Sequence, residues 1–248
     1  MRFAILLCVG LLCFGQLFFG VILADEPYGS IADLKLNKPE DKVDMPSVSA
    51  PKGALVLFDG KSFDGWVKKD GKSAPGWKLL DGGIMQVSRS GDIMTKQEFD
   101  GHFKVHVEFR VPYMPKAKGQ ARGNSGVYLQ GRYEVQVLDS YGLDSKDDDC
   151  AAIYSIAKPL VNACKAPTIW QTYDIEFHAP VFADGKKTEQ AWMSVWHNGV
   201  KVHDHVRINT DNTRSGRGGE VSEPGPILLQ DHGNPVQFRN IWLVKLDK

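Results

Sequence analysis

The sequence predicts an all-β protein built as a sandwich of two antiparallel sheets. Three observations carry this prediction: polar and apolar residues alternate in several short segments, glycine-rich turns separate these segments, and no segment keeps a helical period over a dozen residues. Segments that alternate in this way form half-buried strands. Many short strands joined by such turns are typical of a sandwich or jelly roll.

The alternating segments can be placed in order along the chain. FKVHVEFRV at 103–111 and TYDIEFHA at 172–179 each put apolar side chains on one face and polar side chains on the other. HNG at 197–199 contains an Asn-Gly pair, a strong signal for a hairpin turn. VQFRNIWLVKL at 236–246 is expected to form the last strand.

The segment NSGVYLQGRYEVQVLD at 124–139 predicts a hairpin with an unusual polar face. A two-residue turn would pair Leu129 with Glu134 and mix the two faces. Pairing Leu129 with Tyr133 across a three-residue loop keeps the apolar residues together, and a slip by one residue would reverse every side chain. We therefore expect the second register. The residues that then share the polar face are Gly126, Tyr128, Glu134 and Gln136.

Length and charge limit the classes of function. The chain has 248 residues, of which 42% are hydrophobic, so a large core in one β-rich domain is expected. Its 30 basic and 30 acidic side chains balance, which argues against a nucleic-acid partner, because phosphate backbones normally bind a basic surface. The absence of a P-loop and of GxGxxG leaves nucleotide binding without support.

The N-terminus predicts export. Residues 1–24 combine Arg2, a long apolar run and a small residue at Ala24, which is the pattern of a signal peptide. The alternative is an uncleaved membrane anchor, since the run approaches the ~20 residues that span a bilayer. We expect a periplasmic or extracellular protein, with membrane contact only if the segment is retained. Residues 25–53 are expected to form a polar tail or linker, and residues 54–248 the domain.

Cysteine usage agrees with an exported chain. Cys8 and Cys13 leave with the signal segment, so Cys150 and Cys164 remain as a pair and are predicted to form a disulfide. The chain-entropy model gives ~3 kcal/mol for closing a loop of this size. The alternative is two buried free thiols. A zinc site is not expected, because neither CxxC nor HxxxH accompanies the pair.

A set of motifs in order along the chain resembles a known family. They are LFDGKSFDGW (57–66), NSG (124–126), YEVQVLD (133–139), AIY (152–154), WQTYDI (170–175), NGV (198–200) and GPILLQDHGNPVQFRNIW (225–242). Together they resemble the 3-keto-disaccharide hydrolase domain, formerly a domain of unknown function numbered 1080, over about residues 54–248. The resemblance implies a concanavalin A-like jelly roll. The chain departs from the family at Cys150-Ala151-Ala152, where a glycine-containing turn is expected.

In such a fold one concave sheet is expected to hold the sugar, and polar residues that alternate with core residues are the candidates. The expected catalytic residues are Glu134, His232, Glu108 and Arg110, with Glu108 and Arg110 on the same face as Glu134. The alternative for Glu108 and Arg110 is an exposed cross-strand charge pair. The expected substrate-binding residues are Asn124, Tyr128, Gln136, Asp139, Tyr154, Gln230 and Arg239.

The candidate residues leave both direct displacement and elimination open. A conventional glycosidase needs two carboxyl groups, ~5–5.5 Å apart when retaining or ~6.5–9.5 Å when inverting. Gln136 stands where the strand of Glu134 would place a second acid, so a pair would require Glu108 from another strand. A 3-keto sugar relaxes this need, because its ketone acidifies the C2 proton. Glu134 could then act as base, Arg110 or Arg239 as oxyanion stabiliser, and His232 as acid.

We therefore expect an exported enzyme that cleaves 3-keto-disaccharides or related oxidised glycosides, by hydrolysis or by elimination followed by hydration. The alternatives are a non-catalytic, lectin-like carbohydrate-binding module and a substrate-binding accessory to a separate sugar oxidase. The sequence requires no cofactor. A divalent metal stays open, at the Asp147–Asp149 run or at His203 and His205, although solvated surface is the favoured interpretation of both.

Overall fold

A computed structural model describes residues 28–214, 216, 218, 219 and 222–246. The expected signal segment lies outside this range. Within the range, no helix is long and apolar enough to cross a membrane. The helices in it are two short 3-10 turns, η1 (Pro39–Lys42) and η2 (Gly119–Ala121).

The strands follow one another along the chain with short connections. They are β1 (Leu55–Phe58), β2 (Trp66–Lys68), β3 (Lys78–Leu80), β4 (Ile84–Gln86), β5 (Ile93–Phe99), β6 (His102–Arg110), β7 (Asn124–Leu129), β8 (Tyr133–Leu138), β9 (Gln171–His178), β10 (Val181–Ala183), β11 (Lys186–Glu189), β12 (Trp192–His197), β13 (Val200–Arg207), β14 (Gly225–Leu229) and β15 (Gln237–Lys245).

These strands form two packed antiparallel sheets and a small ribbon. The large sheet has the order β13-β12-β9-β6-β15-β4-β3, with β1 also paired to β15. The small sheet has the order β2-β5-β14-β7-β8, and β10 pairs with β11 in the ribbon. The expected all-β sandwich of two antiparallel sheets is therefore confirmed.

The hydrophobic core fills the space between the two sheets. The apolar faces of β6 and β8 both belong to it, including Val105, Val107, Val135 and Val137, each with no exposed surface. Aromatic rings connect the sheets: Tyr133 of β8 lies 5.3 Å from Phe177 of β9, measured between ring centroids. Both expected core faces are thus confirmed.

Two predicted hairpins have the expected geometry. Leu129 pairs with Tyr133 and Tyr128 with Glu134, so the three-residue loop and its register are confirmed. Asn198 and Gly199 join β12 to β13 with φ of 53° and 78°, as a two-residue turn with positive φ requires. The Asn-Gly pair also fixes the end of β12, where His197 lies.

The segment expected to be a polar tail or linker is packed against the domain instead. We call residues 28–50 the strap, because they run across the outer face of the large sheet. The backbone N–H of Met45 donates to the carbonyl of Trp170 at 3.0 Å, and the Tyr28 hydroxyl donates to the carbonyl of Arg110 at 2.7 Å. The strap has no long helix or strand, so its lack of apolar periodicity did not reveal these contacts.

Candidate active site

The outer face of the small sheet is lined by the polar residues of the β7–β8 hairpin. Tyr128 lies opposite Glu134, and Gly126 lies opposite Gln136. The three side chains on this face are buried, with 1–2% of their surface exposed. Because their neighbours in sequence fill the core, alternation alone points them away from it. The predicted grouping of Tyr128, Glu134 and Gln136 is therefore correct.

Gly126 makes room for the carboxylate of Glu134. A Cβ atom at this position would overlap the Glu134 carboxylate and come within 2.9 Å of the Tyr128 ring. The absence of a side chain at Gly126 thus lets the acid and the phenol lie close together over the strand. This is a packing requirement, since Gly126 does not adopt the positive φ that glycine alone favours.

The neighbouring strand adds an amide to the same face. Gln230 follows β14, and its side-chain N–H donates to the Tyr128 hydroxyl at 3.0 Å. Its backbone N–H also donates to the carbonyl of Gly126 at 3.0 Å, which holds the residue in register with β7. Gln230 therefore orients the phenol, as expected of a residue in the site.

A network of amide side chains lies at the other end of the hairpin. The Gln136 side-chain N–H donates to Gln120 Oε1 at 3.0 Å, and the Asn124 side-chain N–H donates to the same oxygen at 3.0 Å. Gln136 Oε1 and Asn124 Oδ1 are buried without a hydrogen-bond partner among the residues described here. Buried acceptors of this kind usually have a partner, so both oxygens can still accept a hydrogen bond from a water molecule or a hydroxyl group that reaches them.

The loop after β8 brings a second phenol and an acid to this face. The backbone N–H of Tyr154 donates to the carbonyl of Glu134 at 3.1 Å, which fixes the loop beside β8. Burial raises the pKa of Tyr154 above its usual value, and the charges of Glu134 and Asp148 raise it further, while Arg214 lowers it. Tyr154 therefore stays protonated at neutral pH, close to the Glu134 carboxylate, and can donate a hydrogen bond.

The turn in this loop contains the departure from the family pattern. Ala151 adopts a φ of 65°, in the left-handed region that favours glycine. The expected glycine-like turn is thus present, formed by an alanine. Tyr154 keeps its position beside β8.

Three of the expected site residues lie on the opposite side of the sandwich. Glu108 and Arg110 belong to β6 and Arg239 to β15, so their side chains face outward from the large sheet, under the strap. The prediction that Glu108 and Arg110 share a face with Glu134 is wrong, and so is the acid pair of Glu108 and Glu134. Alternation showed which side chains leave the core, but it did not show to which sheet a strand belongs.

Contacts with the strap and the large sheet explain the polar residues there. Glu108 is 1% exposed and forms an ion pair with Arg239 at 2.6 Å. It also accepts hydrogen bonds from the Ser47 hydroxyl at 2.6 Å and from the side-chain N–H of Asn240 at 2.7 Å. Burial opposes ionisation, but these hydrogen bonds and the nearby His106 ring, whose Nε2 lies 3.6 Å from Glu108 Oε1, outweigh it and lower the pKa of Glu108 to about 2. Arg110 stacks on the rings of Tyr28 and Trp170.

Two further expected residues have different surroundings. Asp139 is buried and pairs with Arg122 at 2.8 Å, and burial raises its pKa. Its contact with Arg122 gives it a structural role at the end of β8. His232 is exposed in the loop two residues beyond Gln230, at the border of the small sheet.

The predicted disulfide is not formed. Cys150 and Cys164 are free thiols, although their sulfurs lie within 4.8 Å of each other. His197 lies beside them, and the three residues are the one group of potential metal ligands that converges within the described ranges. Neither the Asp147–Asp149 run nor the pair of His203 and His205 is gathered into such a group there.

Sequence reasoning missed several residues of the site. Gln120 and Asp148 are joined at 2.7 Å, from the Gln120 side-chain N–H to the Asp148 carbonyl, and both contact Gln136. Thr213 contacts the backbone N–H of Glu134 through its hydroxyl at 3.1 Å. Asp148 and Thr213 lie in loops and Gln120 lies in the short η2 turn, all without periodicity. The only signal was the acidic run that contains Asp148.

Comparison with known proteins places the chain in a family. The family model described as the 3-keto-alpha-glucoside-1,2-lyase-like domain matches residues 53–244. The chain belongs to this family. The expected 3-keto-disaccharide hydrolase resemblance is thereby confirmed, and the hairpin, the Tyr154 loop and Gln230 all fall inside the matched region.

Related proteins share nearly the whole domain. A protein of Bacteroides thetaiotaomicron named 3-keto-disaccharide hydrolase is 25% identical over 95% of this chain and 93% of its own length. The crystal structure of a candidate glycosyl hydrolase from Parabacteroides distasonis is 35% identical and has a TM-score of 0.73, over 88% of this chain and 97% of that one. A second candidate glycosyl hydrolase of that organism, 22% identical with a TM-score of 0.55, shares the fold.

Proposed function

We propose that this protein is an exported enzyme that cleaves 3-keto-disaccharides or related oxidised glycosides by elimination followed by addition of water. The observation that carries the proposal is a face lined by amides that holds one buried carboxylate, Glu134, opposite the phenol of Tyr128 and beside the loop that bears Tyr154. At the coarser level of a glycosyl hydrolase acting on a carbohydrate, the proposal is supported by the family and by the names of both relatives. The proposal that the enzyme is exported rests on the signal-peptide pattern of residues 1–24.

The proposed first step is removal of the proton at C2 of the sugar. The C3 ketone acidifies this proton, and Glu134 accepts it as the general base. β7 and β8 together supply one carboxylate, with Gln136 at the next outward position of β8. A single base is sufficient for proton removal, whereas a conventional glycosidase needs two carboxyl groups. The name 1,2-lyase in the family description describes an elimination of the same kind.

The developing enolate requires hydrogen-bond donors. Tyr154 is a suitable donor because its raised pKa keeps the hydroxyl protonated. It replaces Arg110 and Arg239 in this role, since both lie behind the large sheet. Arg214 contributes positive charge in the same region.

Departure of the leaving group completes the elimination. The C1–O bond breaks, the electron pair of the C2–H bond becomes the C1–C2 double bond, and the leaving oxygen takes a proton from an acid, for which His232 is the remaining candidate. Addition of water across the double bond then returns a proton to C2 and a hydroxyl group to C1. The sum of the two steps is hydrolysis.

A lectin-like carbohydrate-binding module is the second candidate function. The oxygens of Gln136 and Asn124 that have no partner in the described part of the chain favour it, because they could bind sugar hydroxyls without any chemistry. A binder would retain sugars and release them unchanged.

The decisive experiment compares a 3-keto-disaccharide with its unoxidised parent in deuterated water, with and without a chelator. We expect faster cleavage of the keto sugar and one deuterium atom at C2 of the product, since the second step takes that proton from solvent. Cleavage without deuterium at C2 would indicate direct displacement. Equal cleavage of both sugars would remove the reason for the elimination route. Binding without turnover of either sugar would establish the lectin-like alternative.

A further inference from the structure

Three side chains with soft or borderline ligand atoms meet where the Tyr154 loop packs on the large sheet. Cys150 lies in the loop after β8, Cys164 in the connection before β9, and His197 at the end of β12. The two sulfurs and one ring nitrogen of His197 all lie within 4.8 Å of one another. The three residues are far apart in sequence, so no short sequence motif indicates that they come together.

The hydrogen bonds of His197 show which ring nitrogen has a free electron pair. Gln171 Oε1 accepts the backbone N–H of Lys165 at 2.8 Å, so this atom is the amide oxygen. His197 Nε2 lies 3.0 Å from the same oxygen and must therefore be the N–H donor. Nδ1 is left with its lone pair. It is buried and has no hydrogen-bond partner within the described part of the chain, in a residue that is 1% exposed.

This arrangement is the one that metal-binding histidines use. Such a histidine donates its second ring N–H to an oxygen, which fixes the ring and leaves the other nitrogen for the metal. His106 Nε2 and His178 Nδ1 are also buried without a hydrogen-bond partner among the residues described, but of these three histidines only His197 belongs to a converging group of potential ligands there.

The surroundings of Cys150 can stabilise a thiolate. Its sulfur lies 3.1 Å from the Tyr173 hydroxyl, which also lies 2.7 Å from the carbonyl of Gln136. The backbone N–H of Ala151 donates to that carbonyl as well, at 2.9 Å. The Tyr173 hydroxyl can therefore turn to the sulfur without leaving the carbonyl unsatisfied. A thiolate at Cys150 would keep one donor.

We propose that Cys150, Cys164 and His197 form a binding site for a zinc ion. Two thiolates and an imidazole are ordinary zinc ligands. Tetrahedral ligands at zinc–sulfur bonds of ~2.3 Å lie about 3.8 Å apart, which is inside the 4.8 Å limit that holds for the three atoms. Two thiolates balance the charge of Zn²⁺, so no net charge is buried. A disulfide would use both sulfurs but would leave His197 Nδ1 without a partner.

The site has a route to solvent and a structural consequence. A cavity of about 530 Å³ is lined by Cys164, Asn198 and the η1 region, so Cys164 is the ligand at which a metal ion and a water molecule would enter the proposed site. Cys150 lies in the loop that carries Asp148 and Tyr154. Zinc would therefore fix that loop against the large sheet, beside Glu134.

The test begins with the full chain, reduced and stripped of metal. Zinc is then added and the excess removed. We expect about one zinc per chain by elemental analysis, with release of protons as the thiols ionise. Cobalt in place of zinc should give sulfur-to-cobalt charge-transfer absorption, which needs no variant and reports thiolate ligation directly. Absence of this absorption in folded, reduced protein would overturn the proposal.

Variants separate the ligands from their surroundings. His197→Gln and Cys164→Ser should each weaken zinc binding about 100-fold or more, and removal of the Gln171 amide in Gln171→Leu about 10-fold. His106→Gln is the matched control: this histidine is equally buried but lies on the other face of the same sheet, and zinc binding should not change. A disulfide between Cys150 and Cys164 would be identified if the intact mass of the unreduced protein is lower by two hydrogens than that of the reduced protein and the unreduced protein contains no zinc. That result, or unchanged binding in His197→Gln, rejects the site whatever the enzyme activity.

Discussion

Glu108 and Glu134 are two buried glutamates on opposite faces of one sandwich, and their neighbours differ. Glu108 accepts hydrogen bonds from the strap and from β15, and Ser47 and Arg239 are among the donors. Glu134 lies next to two phenols, Tyr128 and Tyr154, on a face where nearby amide oxygens have no partner among the residues described. Both acids alternate with core residues in the same way, so the sequence pattern alone does not distinguish them.

The difference shows why a buried carboxylate is not by itself a catalytic one. The hydrogen bonds that surround Glu108 hold its pKa at about 2. A carboxylate with a pKa this low is a poor base at neutral pH, because a general base works best with a pKa near the operating pH. The large-sheet face therefore stabilises the fold, and the small-sheet face is the one suited to chemistry.

The largest expected effect is the loss of activity in Glu134→Gln. This change removes the proton acceptor but keeps the shape of the side chain, and loss of a general base typically costs ~10²–10⁴-fold in rate. Steady-state kinetics on a 3-keto-disaccharide and a thermal melt measure the two effects separately. Full activity in the variant would take Glu134 out of the mechanism.

Tyr154→Phe is expected to have the next largest effect. It removes the hydroxyl that we assign to the developing enolate, and loss of one such donor costs roughly 10²–10³-fold in kcat. The ring remains, so the melting temperature should change little. A rise in KM with an unchanged kcat would instead mean that the hydroxyl only binds substrate.

Glu108→Gln should show the reverse pattern, with reduced stability and normal activity. A shift of the Glu108 pKa from 4.5 to about 2 corresponds to on the order of 3 kcal/mol of stability at neutral pH. Denaturant unfolding at pH 7 measures the loss, and kcat per folded molecule provides the comparison with Glu134→Gln. Loss of activity without loss of stability would show that the two faces have been assigned the wrong way round.

The same residue predicts a difference in acid sensitivity. A depressed carboxyl pKa stabilises the fold above the unfolded value, and this stabilisation disappears as the pH falls towards the folded value. For Glu108 the window runs from 4.5 down to about 2. The stability of the wild type should therefore fall more steeply than that of Glu108→Gln in this range. Parallel curves would show that Glu108 is not the group responsible.

Particular residues show how far the sequence alone could lead. The Leu129–Tyr133 register and the Asn198–Gly199 turn were predictable because burial and turn chemistry are local. The position of Glu108 was not, because the sheet to which β6 belongs is decided by pairing with distant strands. The strap was missed for the same reason, since Tyr28 and Ser47 have their partners far along the chain. His197 meets Cys150 and Cys164 only in the folded chain, so ligand spacing could not indicate the group.

The smallest expected effect tests the packing around Glu134. Gly126→Ala adds a Cβ atom that overlaps the Glu134 carboxylate and approaches the Tyr128 ring, so the acid must move. Overpacking of this kind costs ~1–3 kcal/mol when the surroundings are rigid. Here one overlapping atom is the end of a flexible side chain, so the cost should be near the lower limit. Misplacement of a catalytic group by about 1 Å can cost up to ~10²-fold in rate, and we expect about tenfold in kcat.

Gly65→Ala is the matched control, because a Cβ atom there meets only the carbonyl of Leu57, at an ordinary 3.7 Å, and its φ is not positive. It should change neither kcat nor the melting temperature. If Gly126→Ala also leaves kcat unchanged, then the position of the Glu134 carboxylate does not limit the reaction. If Gly126→Ala is inactive while Glu134→Gln is active, the added methyl group blocks the substrate, and the small-sheet face binds the sugar without supplying its base.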